Sequence, residues 1–336
     1  MMDLPELIVL DVGHGNCAIL RDTNAVTVID CPPALTLLET LERLGISTID
    51  QVLISHADVD HVGGLINLLE DVIVRNIYIN PDADKKSRIW KDIRIALGLA
   101  EERGTEVHVG LTSQWTKKFN SGQIEIEILA PSTEIALSGA GGDDSEDHKL
   151  TSNSMSVVVG LMHNSQRVAI LPGDIDDRGL DNLLVKQRDI EAQILIFPHH
   201  GGLPGGKING HDFARKLCAL VKPHLIVFSI DRDRFKNPRE DTMQGVLSVV
   251  PNAHIVCTQL SRKCAAELPD SNFDHLTSLP AMGRARGKCC GGTISIKING
   301  KQSTYAPLFT LHRNFVSNKS NVTEPMCLRY HSSVKP

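Results

Sequence analysis

The chain has 336 residues, 41% of them hydrophobic and 22% charged, which is enough apolar material for one large core or two modest ones and excludes a disordered or fibrous protein. A formal net charge of −5 excludes binding of nucleic acid through global positive charge, so any polyanion contact must come from a local patch. Eight cysteines are too sparse for a disulfide scaffold, and no apolar run approaches the roughly 18 residues that a membrane span needs.

The N-terminal Met1-Met2-Asp3-Leu4-Pro5-Glu6 lacks the basic start and apolar run of a secretory leader, so a cytoplasmic protein with no membrane attachment is expected. Short β-branched runs follow at 7–10, 17–20 and 26–29 and predict a meander of strands. Leu35, Leu38, Leu41 and Leu44 at helical spacing predict a helix over 34–44, stopped by Gly45. Residues 51–55 read as a buried strand. Beyond it a helix is expected at 65–69, a strand at 77–79 and a helix at 89–103 closed by Gly104, the alternation of a layered α/β protein. Ile124 to Leu129 alternates apolar and acidic residues like a half-exposed strand, ended by Pro131. The polar stretch 138–154 is too long for a simple connector and reads either as a lid or as a disordered loop.

A hairpin is expected from 156–162 and 166–171. The second half then alternates helices (180–185, 213–221, 242–250) with strands (192–197, 225–229, 254–257), and 292–298 reads as a final strand. The organisation expected is a core over 1–260, a cysteine-containing elaboration with final strands over 261–315, and a weakly ordered polar tail over 316–336.

Ser55-His56-Ala57-Asp58-Val59-Asp60-His61-Val62-Gly63-Gly64 places two imidazoles and two carboxylates within six residues, just after a strand. Burying four such groups is costly unless a cation offsets the penalty. Capping the following helix would occupy one Asp, not four groups. Mixed nitrogen and oxygen donors suit zinc, manganese or iron better than calcium or copper.

This segment resembles the signature of metallo-β-lactamase-fold hydrolases in its His-x-Asp-x-Asp-His form, which marks the hydrolase domain of the DNA-uptake protein ComEC and its stand-alone relatives. Collinear segments support the resemblance from about residue 7 to 260: Leu10-Asp11-Val12-Gly13-His14-Gly15-Asn16, Val28-Ile29-Asp30, Ser152-Asn153-Ser154-Met155-Ser156, Leu171-Pro172-Gly173-Asp174-Ile175 and Phe197-Pro198-His199-His200-Gly201-Gly202. It implies an αββα sandwich of two mixed sheets flanked by helices. It also implies two divalent metal ions, zinc or manganese. His56 and Asp58 would hold the first and Asp60 and His61 the second, with Asp174 between them and His199 completing the second set. Asp30 would lie beneath the metals and orient a ligand. His200 is either a ligand in place of His199 or a proton donor beside it.

The chain departs from the family where many members carry another metal-binding His and this one offers Ser152-Asn153-Ser154, so that Asn153 stands beside the first metal as a supporting group and that metal is weakly held. With Asp58 in place of the commoner His, the site gains oxygen character. His148 nearby reads as a solvated loop residue.

The implied chemistry is metal-dependent hydrolysis in which the ions activate water and Asp60, Asp174 and His200 take part. No Gly-x-Ser-x-Gly elbow competes for the role. The resemblance favours a phosphodiester in DNA, RNA or a nucleotide. Arg232, Arg234 and Lys236 flank Phe235 after a strand and are candidate substrate contacts, against a solvated loop of mixed charge. Arg284, Arg286 and Lys288 read as a flexible basic insertion or as a second phosphate-binding loop. Alternatives are hydrolysis of another ester or amide, or a non-catalytic or partner-activated subunit of a larger, defence-related complex whose partner protein is encoded nearby. Cys257 and Cys264 with one or both of Cys289 and Cys290, joined by Cys327 or His275, are candidates for an additional structural zinc, against free thiols or a disulfide.

Overall fold

The computed structural model describes residues 4–332 except 81, 83–86, 116–118, 120–121, 187–188, 207, 271–272, 300–302 and 307–308. In chain order, β1 (Glu6–Val9), β2 (Ala18–Arg21) and β3 (Val26–Ile29) form an antiparallel meander. α1 (Thr36–Arg43) leads to β4 (Thr48–Ile54), which lies parallel to β3. After α2 (Val59–Val62) and α3 (Leu65–Asp71), β5 (Ile73–Ile79), α4 (Arg88–Glu102) and β6 (Glu106–Val109) extend the sheet in parallel register.

The second sheet opens with β7 (Ile124–Ala130), followed by α5 (Thr133–Ser138), β8 (Val158–His163) and β9 (Gln166–Leu171), the three strands antiparallel. Helix–strand units then add α6 (Asp177–Lys186), β10 (Ile194–Ile196), α7 (Gly210–Val221), β11 (Leu225–Phe228), α8 (Glu240–Val249) and β12 (His254–Cys257) in parallel. Finally β13 (Ile294–Lys297) returns to pair with β1, β14 (Thr304–Ala306) pairs with β13, and α9 (Phe309–Ser317) follows. Among the described residues the strand orders are β14-β13-β1-β2-β3-β4-β5-β6 and β12-β11-β10-β9-β8-β7.

Strand alternation explains the layering. Leu7 and Val9 of β1 join Ile126, Val159, Ala169, Ile196 and Val227 in the core between the sheets, whereas Ile8 and Leu10 face the other way, toward Leu37, Leu41, Leu68, Trp90 and Ile93 of the helices. On the far side Ile170, Leu195, Ile226 and Phe228 pack on Phe213, Leu217 and Val246. Both sheets are thus covered on both faces, and their strands read as continuous apolar runs. This is the αββα sandwich of two mixed sheets that the resemblance implied.

Two segments differ from expectation. Residues 138–154 contain the end of α5, an Asp143–Lys149 bridge and a short 3-10 turn, and Leu150 packs with Ile135 and Met155 in a small core of its own. The segment read as a weakly ordered tail packs over its described part, with Val322 1% and Met326 2% exposed. The sequence-based reading misses β6 because Glu106-Val107-His108-Val109 is a short edge strand with a polar residue at alternate positions.

Candidate metal centre

The predicted residues converge where both sheets present the C-terminal ends of their strands. β3 ends at Ile29 and hands over to Asp30, which is 2% exposed and has φ 62°. Its carboxylate accepts the Ser55 N–H (2.7 Å), the Ser55 hydroxyl (2.7 Å) and the His61 Nδ1–H (2.7 Å). That last bond fixes the tautomer of His61 and turns Nε2 toward the site. His56 leaves the adjacent strand β4, and its ring centroid lies 4.0 Å from that of His61.

Asp174 arrives from β9. Its N–H donates to Ser156 Oγ (3.0 Å) and its Oδ1 accepts the His199 N–H (2.8 Å), leaving Oδ2 to face the imidazoles. Asp174 Oδ2 stands 3.7 Å from His61 Nε2 and 3.7 Å from His200 Nε2, between the two rings. The preceding Gly173 has φ 54°, and a Cβ there would fall 2.3 Å from Ser156 Oγ, so the turn that delivers Asp174 needs glycine.

The doubled histidine separates into two roles. His199 and His200 both adopt left-handed backbone, φ 53° and 54°, a conformation that persists in non-glycine residues where surrounding structure imposes it. His200 Nδ1 donates to the Ser229 carbonyl (2.9 Å), so Nε2 points at Asp60 Oδ2 (3.4 Å). His199 Nε2 donates to the Ile175 carbonyl (2.9 Å), and its Nδ1 lies 3.7 Å from Asp174 Oδ2. His56 Nε2, His61 Nε2 and His200 Nε2 are buried with no hydrogen-bond partner. Three orphaned ring nitrogens beside ionised carboxylates fit a divalent cation, because a metal is the missing acceptor of their lone pairs. The ligand atoms of His56, His61 and Asp174 all lie within 4.8 Å of one another. Asp58 is further out, with Oδ2 3.8 Å from His56 Nε2, and it is 43% exposed.

Electrostatics follow from this packing. Burial, with the neighbouring His61, pushes the His56 pKa down to about 4. Burial acts to lower His61 too, but the Asp30 and Asp174 carboxylates hold it well above the ordinary value. Burial acts to raise Asp174, and the His200 and His61 charges hold it well below the usual carboxylate range. Asp60 is likewise depressed against its burial by the nearby imidazoles of His14, His200 and His61. Both carboxylates are therefore ionised at neutral pH.

The remaining expectations distribute unevenly. Asn153 opens the 3-10 turn with its Oδ1 buried and unpartnered, while Ser154 Oγ donates to Asp176 (2.7 Å). His148 sits on the 143–149 hairpin, 3.5 Å from Asp144. Arg232 is corrected as a substrate contact: it is 3% exposed, and its guanidinium donates to the carbonyls of Leu260, Ala265 and Ala266 (2.7–2.8 Å). Arg234, Phe235 and Lys236 are exposed, with the Arg234 guanidinium 5.6 Å from the Phe235 ring centre. In the other basic run, Arg284 donates to main-chain carbonyls of 277 and 279, and Lys288 pairs with Asp233.

The four cysteines proposed for zinc do not all gather in one place. Cys289 donates to Asp11 (3.6 Å), and Cys290 Sγ lies 3.3 Å from His312 Nε2. Cys257, Cys264 and Cys290 instead line a small apolar cavity with Cys327. Among the described residues no three ligand atoms there lie within 4.8 Å of one another.

The sequence reading passed over His14. Its Nε2 is 3.0 Å from Asp60 Oδ2, and its ring centroid is 4.5 Å from that of His200 and 4.8 Å from that of Phe235. The signal available was the histidine between two glycines. Gly15 has φ 129°, and a Cβ on it would lie 2.4 Å from the Asp60 carbonyl, so only glycine lets this loop come so close. His14, Asp60, Asp174, His200, Phe235 and Arg239 line one cleft of about 310 Å³.

Residues 10–143 match the family model described as the metallo-beta-lactamase superfamily. No curated protein matches the chain at a significant level. Similar solved structures include Igni18, a novel metallo hydrolase from the hyperthermophilic archaeon Ignicoccus hospitalis KIN4/I. It is 14% identical over 75% of this chain and 94% of that one, with a TM-score of 0.44. The metallo-beta-lactamase fold protein YhfI from Bacillus subtilis is 11% identical (75% and 95% covered, TM-score 0.47). Zn(2+)-bound PqqB from Methylobacterium extorquens is 11% identical (75% and 97% covered, TM-score 0.45).

Proposed function

We infer that this chain, which carries the metallo-beta-lactamase superfamily fold, is a metal-dependent hydrolase, and we propose that its substrates are phosphodiesters of nucleic acids or nucleotides. One observation carries the reading. Asp174 stands between His61 and His200 at the floor of a cleft whose rim presents Phe235. Zinc or manganese suits the donors, with His56, His61 and Asp174, flanked by Asp58, holding one ion and Asp60 with His200 contributing to a second. Bound there, the ions supply Lewis acidity and lower the pKa of water for in-line displacement.

The chain's own groups do the rest. Asp30 holds His61 in the tautomer that presents Nε2, and the Ser229 carbonyl does the same for His200. Phe235, 67% exposed, offers a flat face on which a base can stack, and Arg234 and Lys236 beside it can take a phosphate. The likeness to the DNA-uptake hydrolases supports the same substrate class. Hydrolysis of bis-p-nitrophenyl phosphate with zinc, manganese, magnesium or chelator tests the reading. Turnover should require metal and fall at least about a hundredfold in Asp174→Ala. Chelator-resistant turnover, or full activity in the variant, would overturn it.

A further inference from the structure

We propose that His14 is itself a metal ligand, completing with Asp60 and His200 the set that holds the second cation. This rests on the reading of the site as a two-cation centre. His14 Nε2 and His200 Nε2 approach the same oxygen, Asp60 Oδ2, at 3.0 and 3.4 Å. The ligand atoms of the three residues lie within 4.8 Å of one another. Donor atoms about 2.1 Å from one tetrahedral zinc stand about 3.4 Å apart, so the spacing suits a shared ion.

A hydrogen bond from His14 to Asp60 alone would explain the 3.0 Å contact but not His200. That ring is 3% exposed, and its Nε2 aims into the same space with no hydrogen-bond partner. The framework also treats the two imidazoles as a unit. Ser229 accepts the His200 Nδ1–H on its carbonyl and donates its hydroxyl to the Gly15 carbonyl (2.6 Å), bracing the ring and the loop from one residue. On the other flank Asp11 accepts the Gly13 N–H (3.2 Å), and Gly15 packs on the Asp60 main chain.

The consequence is an unequal pair. The first position holds His56 and His61 with exposed Asp58 and no further histidine from 152–154. The second gains a nitrogen donor from a rigid loop far away in sequence. Cobalt(II) loading read by metal content per chain and by visible absorption tests this. Wild type should bind two ions. His14→Gln, which keeps an N–H for Asp60 but coordinates poorly, should retain the first ion and bind the second at least about tenfold more weakly. His14→Cys should bind the second ion with a new thiolate-to-cobalt charge-transfer band, and thermal melts establish that each variant is folded. Two ions held at wild-type affinity by His14→Gln, with no new band in His14→Cys, would overturn the ligand role and leave the two-cation reading standing. A wild-type chain that binds no second ion would overturn both.

Discussion

His199 and His200 show how one peptide step decides function at a site. Both side chains are buried and both flank Asp174, yet hydrogen bonding gives them different tasks. His199 spends Nε2–H on the Ile175 carbonyl, and His200 spends Nδ1–H on Ser229, which leaves its Nε2 unsatisfied and aimed at Asp60. His200→Ala should therefore cost about a hundredfold in kcat/KM and lower metal content. His199→Ala should keep most of both, because the bond from its backbone N–H to Asp174 Oδ1 survives. Kinetics at saturating metal with metal analysis compares them, and equal losses would return His199 to the ligand set. From the sequence the pair His199-His200 was undecidable, because tautomers are chosen by acceptors that lie 24 and 29 residues away along the chain.

At the scale of elements, the segment after β11 looks like one basic loop in sequence but is divided by the fold. Arg232 points inward and ties the 260–266 segment to the strand end through three carbonyls, while Arg234, Phe235 and Lys236 are exposed and the Phe235 ring lines the cleft. Arg232→Ala would leave those carbonyls unsatisfied, and a loss of about 2–4 kcal/mol of stability is expected by urea unfolding. Metal content should be retained in the folded fraction. An unchanged midpoint would mean that the segment is held without it. Strand and helix identities were mostly legible, since apolar runs buried on both faces and leucine spacing of helical period are local signals. Edge strand β6 and the packed 316–332 segment were not, because their order comes from partners far off in the chain.

Across the whole molecule, buried histidines make the fold sensitive to acid. His254 at the start of β12 packs its ring 4.4 Å from Phe309 and 5.0 Å from His312, joining the second sheet to α9. Burial, with Arg313 nearby, pushes its pKa down to about 4. The folded value lies below the unfolded one, so its contribution is full above about pH 6.5 and is lost as pH falls toward 4, about 3 kcal/mol in all. Replacing it by Phe should flatten the pH dependence of unfolding by that amount between pH 7 and 4. An identical pH profile in both proteins would show that the His254 pKa does not differ between the folded and unfolded states.

The sequence by itself determined the layered α/β class and marked the donor cluster of the candidate site, because four such groups within six residues behind a buried strand are costly to bury without a cation. It also marked the strand ends at which Asp30, Asp174 and the paired histidines appear. Only the tertiary structure decided which histidine turns its Nε2 toward Asp60, that Arg232 is internal, that Cys289 turns to Asp11, and that His14 lies against Asp60. Those outcomes depend on side-chain direction and on hydrogen-bond partners brought together from opposite ends of the chain, and no local pattern encodes either.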